Sequence, residues 1–245
     1  MYNYKLTVAY HGKYFQGWQW NPKEITVQST LEEALTKVHQ IPIKVIGASR
    51  TDAGVHSYGQ TCNFSTEKLW PRETLQRAVN YYLDKSRLLV TSVEMVDLDF
   101  HSRYKSLGKI YHYQIYLDEF LNPLDHGLWW NWWRPVCEKK LQTALTAFQS
   151  APSLNGFAHW HQPLKNHYTL QKTSYHWDGK KLTLKFQGKG FFYNEIRYLV
   201  GHIIHYISGL MDHDDFMLPL ENPTNKDYKK ILAPAHGLFL MEVMY

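Results

Sequence analysis

The chain has 245 residues, 44% of them hydrophobic and 20% charged, which is long enough for one large domain or two ordinary domains with their own cores. This hydrophobic content excludes a wholly disordered protein. The net charge of +5 and the isoelectric point of about 8.9 favour a polyanionic partner, because Lys and Arg that neutralise phosphates release condensed counterions.

The first half of the chain has the pattern of a sheet covered by helices. Apolar side chains at every second position in residues 2–10 predict a strand. One helical face and a possible capping box from Ser29 to Glu32 predict a helix after it. The helical face consists of Val27, Leu31, Ala34, Leu35 and Val38. Two strands around residues 47–56, a helix that begins at Pro71 and a strand at residues 88–96 complete this half.

The second half repeats this pattern. Its predicted elements are a strand at 109–117, a helix with Leu141, Ala144, Leu145 and Phe148 on one face, strands near 169–177 and 181–187, a long helix near 192–208 and a closing strand at 238–245. The sequence therefore predicts an α+β fold of two similar domains, residues 1–105 and 106–245, each a sheet covered by helices.

The segment GASRTDAGVH, residues 47–56, is the most informative part of the chain. Before it, Ile43, Val45 and Ile46 indicate the end of a buried strand. After it, the period-2 spacing of another strand is carried by Tyr58, Gln60, Cys62 and Phe64. The segment is therefore a loop on a rigid scaffold, where catalytic groups are often found, and Gly54 gives it backbone freedom. A simpler interpretation is a turn in which Asp52 accepts backbone N–H bonds and pairs with Arg50.

The longer string SRTDAGVHSYGQ resembles the signature of the TruA family of tRNA pseudouridine synthases, whose common form is GRTDAGVHA followed by a Gly-Gln strand. Other segments are similar to that family in the same order along the chain. They are YHGKYFQGWQW and TVQSTLEEAL near the start, FHSRYKSLGKIYHY in the middle, and GFFYNEIRYLVGHI and APAHGLFLMEVMY towards the end.

The resemblance implies an enzyme that isomerises uridine to pseudouridine in the tRNA anticodon stem-loop, at tRNA positions 38 to 40. It implies the pseudouridine synthase fold, in which two similar domains with mixed or antiparallel sheets join around a central basic cleft. It also implies a homodimer in which one tRNA touches both subunits.

Asp52 matches the catalytic aspartate of the family, and a carboxylate can act as the nucleophile that this reaction needs. Loss of water around a bound base disfavours an ionised carboxylate, so a paired arginine is expected. The resemblance assigns that role to Arg197, which lies on a helix with apolar neighbours and therefore needs a partner. The alternative is that Arg197 pairs with nearby Glu195 or with another local acid.

Tyr111 matches the tyrosine that the family places against the target uracil, and its ring offers a flat face and an O–H group. It could instead be an ordinary inward strand residue, as we expect for Tyr113. Arg50 is also matched, and a guanidinium beside the nucleophile could fill the space that the extruded base leaves or hold a phosphate. Its alternative role is to pair with Asp52 or cap the loop. The remaining candidates for contacts with the RNA backbone are His101, Arg103 and Lys109.

Neither a cofactor nor a metal is expected, because the sequence has no GxGxxG, Walker or HExxH motif. His202 and His205 have helical spacing, but packing or surface roles are favoured over metal binding. The four tryptophans among residues 129–133 fit a dimer contact or core packing better than base stacking. Two cysteines without metal-site spacing fit reduced thiols in a cytoplasmic protein, and no apolar run or signal pattern indicates membrane or export.

Two positions and one segment of the chain depart from the family pattern in ways that bear on function. Ser49 replaces a glycine, Leu232 replaces a threonine, and the segment YTLQKT, residues 168–173, lacks an arginine. These departures leave a second function open, a tRNA-binding or RNA-folding protein on the same scaffold with weak or no turnover. Asp52, Tyr111 and Arg197 favour the enzyme, since a pure binder needs no buried nucleophile.

Overall fold

The computed structural model describes residues 1–158, 169–223 and 230–245. They form two compact units, one of residues 1–109 and 239–245 and the other of residues 110–238. Sequence order placed residues 239–245 with the second domain, whereas in the structure they belong to the first unit because they pair with a strand there.

The first unit contains a mixed sheet and two helices. Its elements are β1 (Tyr2–Tyr10), α1 (Val27–His39), β2 (Ile46–Gly47), β3 (His56–Thr66), α2 (Arg72–Tyr81), β4 (Leu88–Val96) and β9 (Leu238–Met244). The strand order is β4, β1, β3, β9, with β2 on β3. β1 is antiparallel to β3 and β4, while β3 runs parallel to β9, with His56 opposite Phe239.

The core of this unit lies between the sheet and the two helices. Alternate β1 residues point to it, and Leu6 and Val8 are fully buried. Leu31 and Leu35 of α1 and Leu75 of α2 are also fully buried in this cluster. Burial of one such leucine contributes about 1.5–3 kcal/mol to folding.

Two details of this unit differ from the sequence prediction. The capping box of α1 is formed by Thr26 and Ser29 rather than by Ser29 and Glu32, because the helix begins at Val27 and Ser29 is its third residue. The strand before the 47–56 loop has only two residues. Ile43 and Val45 are buried as expected, but Ile46 is exposed.

The second unit contains most of β5 (Gly108–Tyr116) and the elements β6 (Trp130–Asn131), α3 (Glu138–Ser150), β7 (Leu170–Asp178), β8 (Lys181–Gly188), α4 (Glu195–Ile207) and α5 (His213–Glu221). The strand order is β5, β8, β7, with β6 parallel to β5 and β7 antiparallel to β8. Fully buried side chains of β8, α3 and α4 form its core, among them Phe186, Phe148 and Ile203. The predicted α+β class with mixed sheets is confirmed in both units, and α5 was not predicted.

Candidate active site

The loop that carries Asp52, residues 48–55, runs from β2 to β3 in the first unit and is fixed against the segment after β1. The Trp18 backbone N–H donates to the Thr51 carbonyl at 3.0 Å. Gly17 has φ +87°, and a Cβ there would lie 2.7 Å from that same carbonyl oxygen. Only glycine allows the two backbones to approach this closely in this conformation. The contacts of the Thr51 carbonyl with Trp18 and Gly17 therefore fix the backbone immediately before Asp52.

The start of the loop is held by Gln60 of β3, which is fully buried. Its Oε1 accepts from the Ser49 N–H at 3.2 Å, and its Nε2 donates to the Ser49 carbonyl at 2.6 Å. The Gln60 side chain thus satisfies both main-chain polar groups of Ser49, the N–H and the carbonyl. Ser49 is one of the departures from the family pattern. It is accommodated because Gln60 binds its main chain and not its side chain.

The turn beyond Asp52 closes with a hydrogen bond from the Val55 N–H to the Asp52 carbonyl at 3.2 Å. Gly54 has φ +80°, so its predicted backbone freedom is used. The neighbouring Thr51 hydroxyl shares a 2.7 Å hydrogen bond with the Tyr10 phenol in the interior. Asp52 itself is half-buried. A carboxylate on a rigid, partly desolvated loop has the properties that a nucleophile requires.

Arg50 is exposed on this loop. Among residues 1–158, 169–223 and 230–245, no hydrogen bond or ion pair involves its side chain. The alternative in which Arg50 pairs with Asp52 or caps the loop is therefore wrong. Its guanidinium faces solvent.

His56, at the end of the loop, is a supporting residue that sequence reasoning did not single out. It is buried, and its Nδ1 accepts from the Gly12 N–H at 3.1 Å. Its ring stacks on Phe239 at 4.6 Å. The final strand β9 and the turn after β1 are thereby tied to the end of the Asp52 loop. The sequence signal that could have singled out His56 is its position in the family-like string GVH, residues 54–56.

His101, Arg103 and Lys109 also lie in the first unit. The Nδ1 of His101 accepts from the Arg103 N–H at 3.2 Å, so this imidazole organises the turn that presents Arg103. Ser102 between them is fully buried, and its N–H donates to Asn63 at 2.9 Å. Arg103 is exposed. Burial, followed by repulsion from Arg103, lowers the pKa of Lys109.

Arg197 lies in the first turn of α4, in the second unit. Its Nε donates to the Ala233 carbonyl at 2.8 Å and its Nη1 to Asn194 Oδ1 at 2.9 Å. Glu195 is 1% exposed, and its carboxylate accepts from the Phe192 N–H at 2.7 Å. Its other oxygen has no hydrogen-bond partner within the described chain, and burial raises the Glu195 pKa to about 8. The alternative that Arg197 pairs with Glu195 is therefore wrong.

Tyr111 lies on β5 in the second unit and is 6% exposed. Its ring meets Phe191 edge to face, with 5.4 Å between ring centroids. Tyr113, two residues along the same strand face, is fully buried and donates its phenol to the Pro234 carbonyl at 2.7 Å. Tyr113 is thus an inward structural residue, as predicted.

The sequence-predicted residues divide between the units. Asp52, Arg50, His101, Arg103 and Lys109 belong to the first unit. Tyr111 and Arg197 belong to the second, together with the supporting residues Asn194 and Ala233. Leu232, next to Ala233, is exposed, and Tyr168 of the YTLQKT segment lies outside the described residues.

The features that we did not assign to catalysis are mainly structural. His202 is fully buried, shares a 2.9 Å hydrogen bond with the Phe216 carbonyl and has its pKa lowered to about 4, chiefly by burial. Trp132 donates to Ser208 at 2.9 Å, while Trp133 is exposed beneath Arg134.

In the described part of the chain, no three His, Cys, Asp or Glu side chains are grouped to hold a metal ion. No helix there is long and apolar enough to cross a membrane.

Comparison with known proteins tests the family resemblance. The family model described as tRNA pseudouridine synthase matches residues 6–105 and 146–245. The tRNA pseudouridine synthase A of Latilactobacillus sakei is 35% identical, over 99% of this chain and 98% of its own. Those of Limosilactobacillus fermentum and Acetivibrio thermocellus are 34% and 33% identical, over 100% of this chain and 96% and 100% of theirs. The chain therefore belongs to the tRNA pseudouridine synthase family, a family of isomerases.

Proposed function

We propose that this protein isomerises uridine to pseudouridine in the anticodon stem-loop of tRNA, at positions 38 to 40, with Asp52 as the nucleophile. The observation that carries the proposal is the half-buried Asp52 on a loop fixed by Gln60, by the Trp18 N–H and by the close approach of Gly17. The match along both halves of the chain supports the reaction class.

The reaction breaks the bond between uracil N1 and ribose C1′ and forms a bond between C5 and C1′. N1 gains a proton and C5 loses one, so the change is an isomerisation without an oxidant or cofactor. The Asp52 carboxylate adds to the substrate and leaves again, which divides one difficult exchange into two easier steps. The rigid loop keeps this oxygen in place while the base turns.

Arg197 and Tyr111 complete the proposed chemistry. The Ala233 carbonyl and the Asn194 amide oxygen accept hydrogen bonds from Arg197 and orient its guanidinium. The positive charge of this guanidinium favours the ionised form of a carboxylate nucleophile. Tyr111, whose ring packs edge to face with that of Phe191, offers its ring and phenol to the flipped base.

Arg50, His101, Arg103 and Lys109 are proposed to contact the RNA. Arg50 and Arg103 are exposed cations, and Lys109 is half-buried with a lowered pKa. A phosphate placed between Arg103 and Lys109 would remove their mutual repulsion. We also propose that the enzyme acts as a cytoplasmic homodimer around a basic cleft, with one tRNA touching both subunits.

The test uses tRNA that carries tritium at uridine C5, because isomerisation must expel that hydrogen. The proposal predicts release from tRNA with uridines at positions 38 to 40 and none when cytidines replace those three uridines. Release that persists after the replacement would contradict the proposed site. Tight tRNA binding without any release would instead support the alternative function, a tRNA-binding or RNA-folding protein with weak or no turnover.

A further inference from the structure

Asn194 begins helix α4 in an unusual way. An asparagine at this position normally has extended backbone and accepts a hydrogen bond from one of the first helical N–H groups. Asn194 instead has φ +61°, in the left-handed region, and within the described chain its side chain caps none of these groups. A residue held away from its favoured conformation is a reason to look for a function.

The side chain of Asn194 binds Arg197 instead. Its Oδ1 accepts from Arg197 Nη1 at 2.9 Å, one helical turn along. The neighbouring Nε donates to the Ala233 carbonyl at 2.8 Å, and Ala233 returns a 3.1 Å bond from its N–H to the Arg197 carbonyl. Two acceptors on two different nitrogens fix both the direction and the plane of the guanidinium.

Both acceptors stand on rigid supports. Ala233 is fully buried, and the Ile231 carbonyl before it lies so close to α4 that a Cβ on Gly201 would be 2.1 Å from it. On the other side, Glu195 accepts from the Phe192 N–H at 2.7 Å, while its own N–H donates to the Phe192 carbonyl at 3.1 Å. This reciprocal pair closes the turn that holds Asn194 in its left-handed conformation.

We propose that Asn194 is a positioning residue for the isomerisation, acting through the orientation of the Arg197 guanidinium. The inference rests on the role that the proposed function gives to Arg197. It predicts that loss of the Asn194 oxygen slows the chemical step and leaves tRNA affinity and folding almost unchanged.

Two substitutions separate the acceptor from the backbone conformation. Asn194→Gly removes the oxygen and keeps the left-handed conformation at no steric cost, whereas Asn194→Ala removes the same oxygen and adds a strained backbone. Gln40→Gly is the matched control, because Gln40 is also a left-handed polar residue, at φ 60°, at the end of α1 in the first unit.

The measurement is single-turnover tritium release at saturating tRNA, together with the dissociation constant for tRNA and thermal unfolding. Both Asn194 variants should be slower than wild type by about tenfold or more, with affinity within about threefold. The alanine variant alone should also lose stability. Gln40→Gly should turn over at the wild-type rate. Wild-type turnover by Asn194→Gly would overturn the inference. A loss of rate confined to the destabilised alanine variant would overturn it as well.

An Arg197→Lys background separates failure of this inference from failure of the proposed function. Lysine cannot make the two bonds in the guanidinium plane, so adding Asn194→Gly should slow the reaction by less than about threefold further. A full additional loss would show that Asn194 does not act through Arg197. Absence of tritium release from the wild-type enzyme would contradict the proposed function itself.

Discussion

The Thr51 carbonyl, immediately before Asp52 in the chain, accepts a 3.0 Å hydrogen bond from the Trp18 N–H. Gly17 makes this contact possible, since its φ of +87° and its missing side chain bring the two segments together. The turn after β1 therefore supports the loop that carries Asp52.

Gly17→Ala should consequently impair catalysis as well as stability. The new Cβ would clash with the Thr51 carbonyl, and relief of the clash would move Asp52. Single-turnover tritium release should fall about tenfold or more, because small misplacements of a reacting group are costly.

Gly209→Ala is the control for this change, since Gly209 has φ +72° and a Cβ added there would meet no described atom within 4 Å. It should lose about 1–2 kcal/mol of stability from the left-handed backbone and keep its turnover within about twofold. Equal rates for the two variants would show that Gly17 does not position Asp52.

Periodicity predicted those elements whose two faces have different surroundings. β4 was predicted with its observed bounds, Leu88–Val96, because β-branched and leucine side chains mark a short run between turns. α5 was missed, since Pro219 lies inside it and Asp212, Asp214 and Asp215 at its start resemble a polar loop. The parallel pairing of β3 with β9 joins distant parts of the chain, which no local pattern indicates.

Tyr111 has two possible tasks that substitutions can separate. If its phenol carries the proton transfer, Tyr111→Phe should bind tRNA and form an initial intermediate but stall before product. If stacking alone matters, this variant should turn over almost normally. Tyr111→Leu should be worse in both cases, because base–aromatic stacking is worth about 1–3 kcal/mol.

Single-turnover assays and trapping with 5-fluorouridine tRNA measure these steps for Tyr111→Phe and Tyr111→Leu. Thermal unfolding of both variants controls for the loss of packing against Phe191. Wild-type activity of the leucine variant would mean that Tyr111 is an ordinary strand residue.

Binding to tRNA should weaken steeply with salt, because phosphate contacts release counterions. Three contacts would reduce the affinity by about 20- to 40-fold between about 50 and about 200 mM salt. Arg103→Ala should reduce the magnitude of the slope of log affinity against log salt concentration by about one, because one phosphate contact is lost. An affinity that does not change with salt would contradict a polyanionic substrate.

Glu195 should make the free energy of unfolding depend on pH. Burial raises its pKa to about 8, so between the ordinary carboxyl range and that value the folded chain holds a proton that the unfolded chain releases. Stability from this group is therefore present at low pH and is lost as pH rises towards 8, by at most about 1.4 kcal/mol per pH unit.

Glu195→Gln should remove this dependence while keeping an acceptor for the Phe192 N–H. Urea unfolding at several pH values from about 5 to about 8 should show wild type losing stability relative to the variant as pH rises. Parallel curves would mean that Glu195 does not hold a proton in the folded state.

Motifs in the sequence made Asp52, Tyr111 and Arg197 the candidates for the site, because their neighbours form recognisable strings. The partners of these residues were harder to predict. The Gln60 side chain binds the main chain of Ser49, and the Ala233 main-chain carbonyl binds Arg197. Asn194 binds Arg197 from a left-handed turn that its residue type does not specify. Such contacts depend on the fold, so only the structure reveals them.

The most direct test of the account is tritium release by Asp52→Asn, measured with 5-tritiated tRNA beside the wild-type enzyme. The amide keeps the size of the side chain and loses the nucleophile. Wild type should release tritium rapidly and the variant almost none, with tRNA affinity changed by less than about tenfold. Substantial release by Asp52→Asn would remove Asp52 from the chemistry and contradict its role as the nucleophile.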